Sequence, residues 1–409
     1  MKILLVNHFP LTGSGSGIYT TNLAKSLIRK GHEIAIIFPE NRSEYERYEG
    51  MKLYPVFFKN EEIIENVNQI NMNFPCFTTH PRSNFSFAKM NEEERKIYED
   101  AFYNKINSVI EEFKPDIVHA QHIWTLAGIS AKCCEKHNLP LVVTCHGTDL
   151  MGIAKEKETK ESWGTDWARV ATKYAKRIIT ISKDSNQLAE TLLPEAKEKT
   201  IWIRNGVDNN LFFRDKNINK MGVLKDLGVH KDYKKIVSFV GKFADFKGID
   251  VLLDAAAIYE DEDTLTIIVG DGELKSKLKE QAHRLHLKNV AFVGAKPHEK
   301  LKDIYNIANC SLVPSRREPF GLVAAEALLC GTPVIATNQG GLPDFVTPDV
   351  GILVDVEDSK GLAEAVIKIL KGKVSFDKEY IEEKIKKSYS QDAIISEFEN
   401  IYKKATQKE

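Results

Sequence analysis

The chain lacks several features that would narrow its class. No apolar run approaches the roughly 20 residues that a membrane-spanning helix needs. Charge of one sign is missing too: 57 Lys and Arg stand against 58 Asp and Glu, for a formal net charge of −1. No global field therefore points to nucleic acid or to an anionic membrane, and any membrane contact is expected to be peripheral at most. Cysteine is sparse, with six residues at 76, 133, 134, 145, 310 and 330, no C-x-x-C pair and no metal-ligand spacing. A disulfide framework is excluded, and the thiols read as buried and reduced, which fits a cytoplasmic protein. The first residues, MKILLVNHFP, are apolar for only four positions after Lys2 and offer no small-residue cleavage site, so they read as a strand and not as a signal peptide.

What is present is an alternation. With 409 residues and 43% hydrophobic content, the chain is too long for one ordinary core, and two domains are expected. Short β-branched strings recur at 2–7, 32–39, 116–121, 141–147, 177–182, 234–243, 265–272, 290–294, 310–315 and 333–337, separated by amphipathic helical stretches. The strings are apolar on both faces, as parallel strands covered by helices must be. The expected fold class is α/β, with two Rossmann-like doubly wound parallel-sheet domains. Their expected limits are 1–208 and 209–385, with a terminal helical segment, 386–409, packing back on the first domain. Residues 40–100 break the rhythm. Their Phe-, Pro- and Asn-rich stretch FPCFTTHPRSNFSF reads as a loop or short-strand insertion whose aromatics could form an acceptor surface or simply pack. A long amphipathic helix is expected over 91–113.

Three stretches carry chemistry. The first, TGSGSGIYTTNLAKSL, places glycines 13, 15 and 17 between a strand and a helix start, which suits close approach to an anion. It fails the G-x-G-x-x-G spacing, because Ile18 and Thr20 stand where the third glycine belongs. In the second, GKFADFKGID, Lys242 and Lys247 lie in a strand-to-helix loop, where open α/β sheets bind ligands, and could flank one diphosphate. The third, SRREPFGLVAAEALLCG, sets Glu318 before a short helix and Glu326 within it. At ~1.5 Å of rise per residue the two acids stand on the order of 10 Å apart, with the helix N-terminus between them. That pattern suits a nucleoside diphosphate sugar. Glu318 would take sugar hydroxyls and Glu326 the ribose, while the amides of Phe320, Gly321 and Leu322 face the diphosphate. The plain alternative, a solvated Glu326, sits poorly with the Ala, Val and Leu residues around it.

Taken with NGVD, VGDGEL and TNQGGLPDFV, these stretches resemble retaining glycosyltransferases of family 4, with the GT-B fold, over nearly the whole chain. The resemblance implies two Rossmann-like domains facing a central cleft, with the donor in the second and the acceptor mainly in the first. It puts the basic pair for the donor diphosphate on Lys242, where Arg is common, and on Lys247. The two family glutamates fall on Glu318 and Glu326, and a histidine that contacts the donor sugar falls on His146. Gly17 joins the donor contacts, and Val293 and Lys296 are candidates for the base. The acceptor is assigned to Gly15, Ser16, Tyr19, His122 and Asp149. Asp344 stands where Glu is usual.

The activity implied is transfer of a hexose-type sugar from a UDP- or GDP-linked donor to an acceptor hydroxyl on a carbohydrate or other small molecule. No cofactor or metal is expected. Retention would proceed by front-face substitution, with the lysines and helix N-termini taking the charge of the departing diphosphate. Closure about a hinge near 205–210 would exclude water. The alternatives are another GT-B activity, such as a sugar-nucleotide epimerase or phosphorylase, a dinucleotide oxidoreductase using Glu40, and a non-catalytic binding or regulatory module that keeps the fold. The broken glycine spacing counts against the second, and the intact pair of glutamates eight apart counts against the third. His119, alternating into its strand, reads as packing.

Overall fold

The apolar strings fold into two parallel sheets in a computed structural model that describes residues 1–59, 64, 67–77 and 80–407. Contacts divide the chain into unit 1, Met1–Gly206 with the residues from Ile394 onward, and unit 2, Val207–Ala393. Unit 1 contains strands β1 (Lys2–Val6), β2 (Glu33–Glu40), β3 (Met51–Phe57), β4 (Ile117–Gln121), β5 (Leu141–Cys145), β6 (Arg177–Thr180) and β7 (Thr200–Trp202). They run parallel in the order β3-β2-β1-β4-β5-β6-β7. Unit 2 contains β8 (Lys235–Val240), β9 (Thr264–Val269), β10 (Val290–Gly294), β11 (Cys310–Val313), β12 (Val334–Thr337) and β13 (Gly351–Val354). These also run parallel, in the order β10-β9-β8-β11-β12-β13.

Each sheet therefore reverses its winding once, between β1 and β4 in unit 1 and between β8 and β11 in unit 2. In open α/β sheets the crevice beyond the carboxyl ends at such a reversal is where ligands bind. The glycine-rich stretch follows β1 and His122 follows β4. Lys242 follows β8 and Glu318 follows β11.

The central strands are buried on both faces, and β4 and β5 are buried at every residue. The helix Gly15–Arg29 begins at Ser14, whose side chain accepts from the Gly17 amide and satisfies one of the amides a helix start leaves open. The helix Glu92–Phe113 begins with an Asn91–Glu94 capping box and three first-turn glutamates, which complement the helix dipole. The last helix, Gln391–Thr406, turns Ile394, Ile395, Phe398, Ile401 and Tyr402 into the core that contains Ile3, Leu5, Leu23, Leu27 and Ile34. Their spacing of three and four residues forms one apolar stripe, the reason this segment joins unit 1.

Among the described residues, the 40–100 stretch is the short-strand insertion that its broken rhythm suggested. It supplies an edge strand, β3, and bridges Phe58–Ile70 and Cys76–Ser86. Phe74, Cys76 and Phe87 are buried in the unit 1 core, and Phe77 and Phe85 pack against it. These aromatics are core and not a free acceptor surface; residues 78 and 79 of that stretch lie outside the described residues. All six cysteines are buried and none is in a disulfide. No helix among the described residues is long and apolar enough to cross a membrane.

Candidate functional site

In unit 2 the loops leaving β8, β11 and β12 converge on Glu318. Its carboxylate Oε2 accepts from Lys247 Nζ at 2.6 Å and from Ser315 Oγ at 3.3 Å. The pair is largely withdrawn from solvent, with the side chains 18% and 10% exposed. Lys247 is thus committed to Glu318 as much as it is available to a phosphate. The backbone of Glu318 is held as firmly. Its amide donates to Gln339 Oε1 at 2.9 Å, its carbonyl accepts from the Gly341 amide at 3.0 Å, and Thr337 Oγ1 donates to the Ser315 carbonyl. Gln339, Ser315 and Thr337 therefore build the acidic loop, although sequence reasoning gave none of them a role. Arg316 grips Asp250 with two bonds, at 2.9 and 2.7 Å, and also pairs with Glu357, locking the loops after β8 and β11 together.

The helix Leu322–Leu329 starts at Gly321 with φ 101°, a conformation that side chains rarely adopt; a Cβ there would stand 2.6 Å from Leu342 Cδ2. The first helical bonds come from Ala324 and Ala325 to the Gly321 carbonyl, so the Leu322 and Val323 amides precede any helical acceptor. The Phe320 ring packs against that of Phe345 at 5.2 Å, which leaves its backbone amide untouched. Glu326 is buried, and its Oε2 accepts from the Tyr305 hydroxyl at 3.1 Å. Burial pushes its carboxyl up to about 7, against the opposing effect of that hydrogen bond. It is not a solvated helix residue. Lys242, Val293 and Lys296 are half-buried, Lys242 in the loop after β8, Val293 on β10 and Lys296 just beyond it. The one Asp-x-Asp in the sequence, Asp261-Glu262-Asp263, lies before β9, at the opposite end of the sheet. Its aspartates pair with Lys235 at 2.7 Å and Lys234 at 3.0 Å.

In unit 1 the sequence-predicted residues gather beyond β1, β4 and β5. The rings of Tyr19 and His146 meet edge to face at 4.8 Å, and those of His122 and His146 lie 4.7 Å apart. His146 Nε2 is 2.8 Å from Gln121 Oε1, and burial holds its imidazole neutral, down to about 3. His122 is buried, with its backbone left-handed at φ 71°, and its Nδ1 is enclosed without a partner, as are Gln121 Nε2 and Ser16 Oγ. Burial first, then the neighbouring His146 and His8, hold His122 well below the ordinary imidazole range. His8, which carried no sequence signal beyond its place after β1, joins this cluster. The Leu126 amide donates to its Nε2 at 3.2 Å, and its ring lies 5.6 Å from that of His122.

Two placements correct expectations. Gly17 does not offer its amide to a ligand, because Ser14 Oγ takes it at 3.0 Å. A Cβ on Gly17 would stand 2.3 Å from the Pro10 carbonyl oxygen, so this glycine serves close packing, whereas a Cβ on Gly15 would meet nothing within 4 Å. Asp149 is completely buried and spends its carboxylate on backbone amides: Oδ2 accepts from Ile123 at 2.7 Å and His146 at 3.3 Å, and Oδ1 from Leu150 at 3.0 Å. It faces the protein and not an acceptor. His119 is packing, held between the Tyr402 hydroxyl and Thr144 Oγ1 at 2.7 Å each.

Comparison with known proteins shows the family and the fold. The model described as Glycosyltransferase Family 4 matches residues 13–211, and that described as Glycosyl transferases group 1 matches residues 225–387. An uncharacterized glycosyltransferase of Methanocaldococcus jannaschii is 28% identical over 98% of both chains. The N-acetyl-alpha-D-glucosaminyl L-malate synthase of Bacillus anthracis is 25% identical over 98% of this chain and 97% of its own. Among solved structures, Anabaena HepE in complex with UDP-glucose superposes with a TM-score of 0.74 at 19% identity, covering 99% of this chain and 100% of that one. Sucrose-phosphate synthase from Thermosynechococcus elongatus gives 0.73 at 22% identity, covering 99% and 98%. With one family model on each unit and the two doubly wound sheets between them, the chain belongs to the family 4 glycosyltransferases of the GT-B fold.

Proposed function

We propose that the chain transfers a hexose-type sugar, with retention of configuration and without a metal ion, from a UDP- or GDP-linked donor to a hydroxyl of a carbohydrate or other small molecule. The observation that carries this reading is in unit 2. A buried Glu318, paired with a half-buried Lys247, and a buried Glu326 bracket the start of a glycine-initiated helix beside the point where the sheet reverses. Acids at both ends suit hydroxyls of sugar and ribose, and the open amides of Leu322 and Val323 between them suit the diphosphate. The solved relative HepE holds UDP-glucose, which supports the same donor class. A relative named as the synthase of N-acetyl-alpha-D-glucosaminyl L-malate supports a small hydroxyl acceptor.

In this reading the bond from the sugar C1 to the diphosphate oxygen breaks, and its electron pair leaves with the nucleoside diphosphate. The acceptor oxygen bonds to C1 from the same face, and its proton passes to an oxygen of the departing diphosphate. Lys242, Lys247 and the helix amides stabilise the charge that develops there. Glu318 binds hydroxyls and does not attack C1, since its Oε2 is held by Lys247 and Ser315. His146, neutral, meets the transferred sugar as a hydrogen-bonding group and not as a cation. Tyr19, His122, Gly15 and Ser16 face the acceptor. Val293 and Lys296 serve the base.

The test is a thermal-shift panel of UDP- and GDP-linked sugars, followed by proton NMR of the product formed from the sugar that stabilises. The reading expects a donor-specific rise in melting temperature and a product with the donor's anomeric configuration. Inversion at C1, or a nucleotide sugar consumed without transfer, would overturn it.

A further inference from the structure

We propose that Asp149 is a positioning residue, a carboxylate clamp that fixes the two loops carrying His122 and His146. Its side chain enters from the first turn of the helix Thr148–Thr159. Oδ2 reaches across to the Ile123 amide at 2.7 Å, immediately after His122, and back to the His146 amide at 3.3 Å. Oδ1 takes the Leu150 amide at 3.0 Å. One carboxylate thus ties the exit of β4 to the exit of β5. A further bond, from the His122 amide to the Thr144 carbonyl at 2.7 Å, closes the same junction. His122 needs such support, because its left-handed backbone at φ 71° is costly for a residue with a Cβ. The clamp also sets the 4.7 Å approach of the two imidazoles and the reach of His146 to Gln121.

The cluster around the clamp is otherwise proton-silent near neutrality. Burial holds His8 and His146 down to about 3 and His122 well below the ordinary range. Burial, then the Asp149 charge, raises the Cys145 thiol, and burial raises the Tyr19 hydroxyl. Asp149 itself is pushed up to about 6 by burial, with its amide partners opposing. Protonation would turn one acceptor oxygen into a donor facing a backbone N–H, so the clamp loosens as pH falls through about 6. The histidines it aligns would stay neutral over that range. The relevance of the clamp to the reaction rests on the reading that His122 and His146 serve substrates.

The deciding measurement needs no substrate. In protein labelled with 15N-isoleucine and ring-labelled histidine, the Ile123 amide, assigned by its loss in Ile123→Val, is followed from pH 4.5 to 8. It is expected to move with a midpoint near pH 6. The His122 and His146 ring signals should follow with the same midpoint, without the large displacement of imidazole protonation. In Asp149→Asn both signals should be flat across that range. A wild-type Ile123 amide that does not titrate between pH 5 and 7 overturns the proposal, and so does the same titration persisting in Asp149→Asn. If Asp149→Asn does not fold, the wild-type titration decides. Should His146→Ala leave turnover intact, the functional reading of the histidines falls, while the clamp is still judged by the amide.

Discussion

Replacing Glu326 with Gln should change how the stability of unit 2 depends on pH. The carboxyl is buried in the helix Leu322–Leu329, and burial pushes it from an ordinary 4.5 up to about 7. The folded protein therefore holds this proton to higher pH than the unfolded chain does. Between pH 4.5 and 7 folding takes up a proton at this site, so the site's contribution to stability is complete below 4.5 and is lost as pH rises through 7. The loss is the rise from 4.5 to about 7 at about 1.4 kcal/mol per pH unit, or about 3 kcal/mol. Gln keeps a carbonyl oxygen for the Tyr305 hydroxyl but carries no charge. Relative to wild type, Glu326→Gln should gain about 3 kcal/mol on going from pH 4.5 to pH 8. Urea unfolding at the two pH values measures this. All four tryptophans, at 124, 163, 167 and 202, lie in unit 1, so a change in circular dichroism without a change in tryptophan fluorescence reports unit 2. The difference between wild type and variant is the quantity to read, because other buried groups titrate in both. An equal difference at pH 4.5 and pH 8 would refute the burial argument.

Three further outcomes are expected. Lys247→Met should leave Glu318 buried without its cation and lower unit 2 stability by about 2–3 kcal/mol in the same urea experiment; adding Glu318→Gln should restore much of that loss without restoring nucleotide-sugar binding. Gly17→Ala should destabilise unit 1 by about 1–3 kcal/mol, read by tryptophan fluorescence, because its Cβ would meet the Pro10 and Leu11 carbonyls at 2.3 and 2.8 Å. His8 and His119 are held down to about 3 by burial, so the unfolded chain binds more protons than the folded one between pH 3 and 6.5. Unit 1 should lose stability as pH falls through that interval, and His119→Gln should flatten the slope; an unchanged slope would contradict the assignment.

The alternation of strands and helices was legible because central parallel strands are apolar on both faces. The strands that escaped, β3, β7 and β13, are all at sheet edges, with Pro55 in one and a Gly at the start of another. Edge strands bury fewer of their residues and so leave a weaker apolar signal. At the site, Glu318 and Glu326 were conspicuous as acids in apolar company, and both are buried. What sequence could not show was partnership. Lys247 read as a phosphate ligand but also holds Glu318, and Asp149 read as an acceptor ligand but faces three amides. Gln339, Ser315 and Tyr305 carried no signal, because each acts through a residue distant in the chain. Gly17 was noticed for the right reason, a backbone approaching closely, but the approaching group is the carbonyl of Pro10.

In the proposed function two enclosed acids grip opposite ends of an activated sugar in unit 2, and calorimetric titration of the best-stabilising nucleotide sugar tests this most directly. Wild-type protein should bind with a stoichiometry of one, and the double variant Glu318→Gln, Glu326→Gln should bind at least tenfold more weakly while keeping its circular dichroism. An affinity unchanged in the folded double variant would contradict the account.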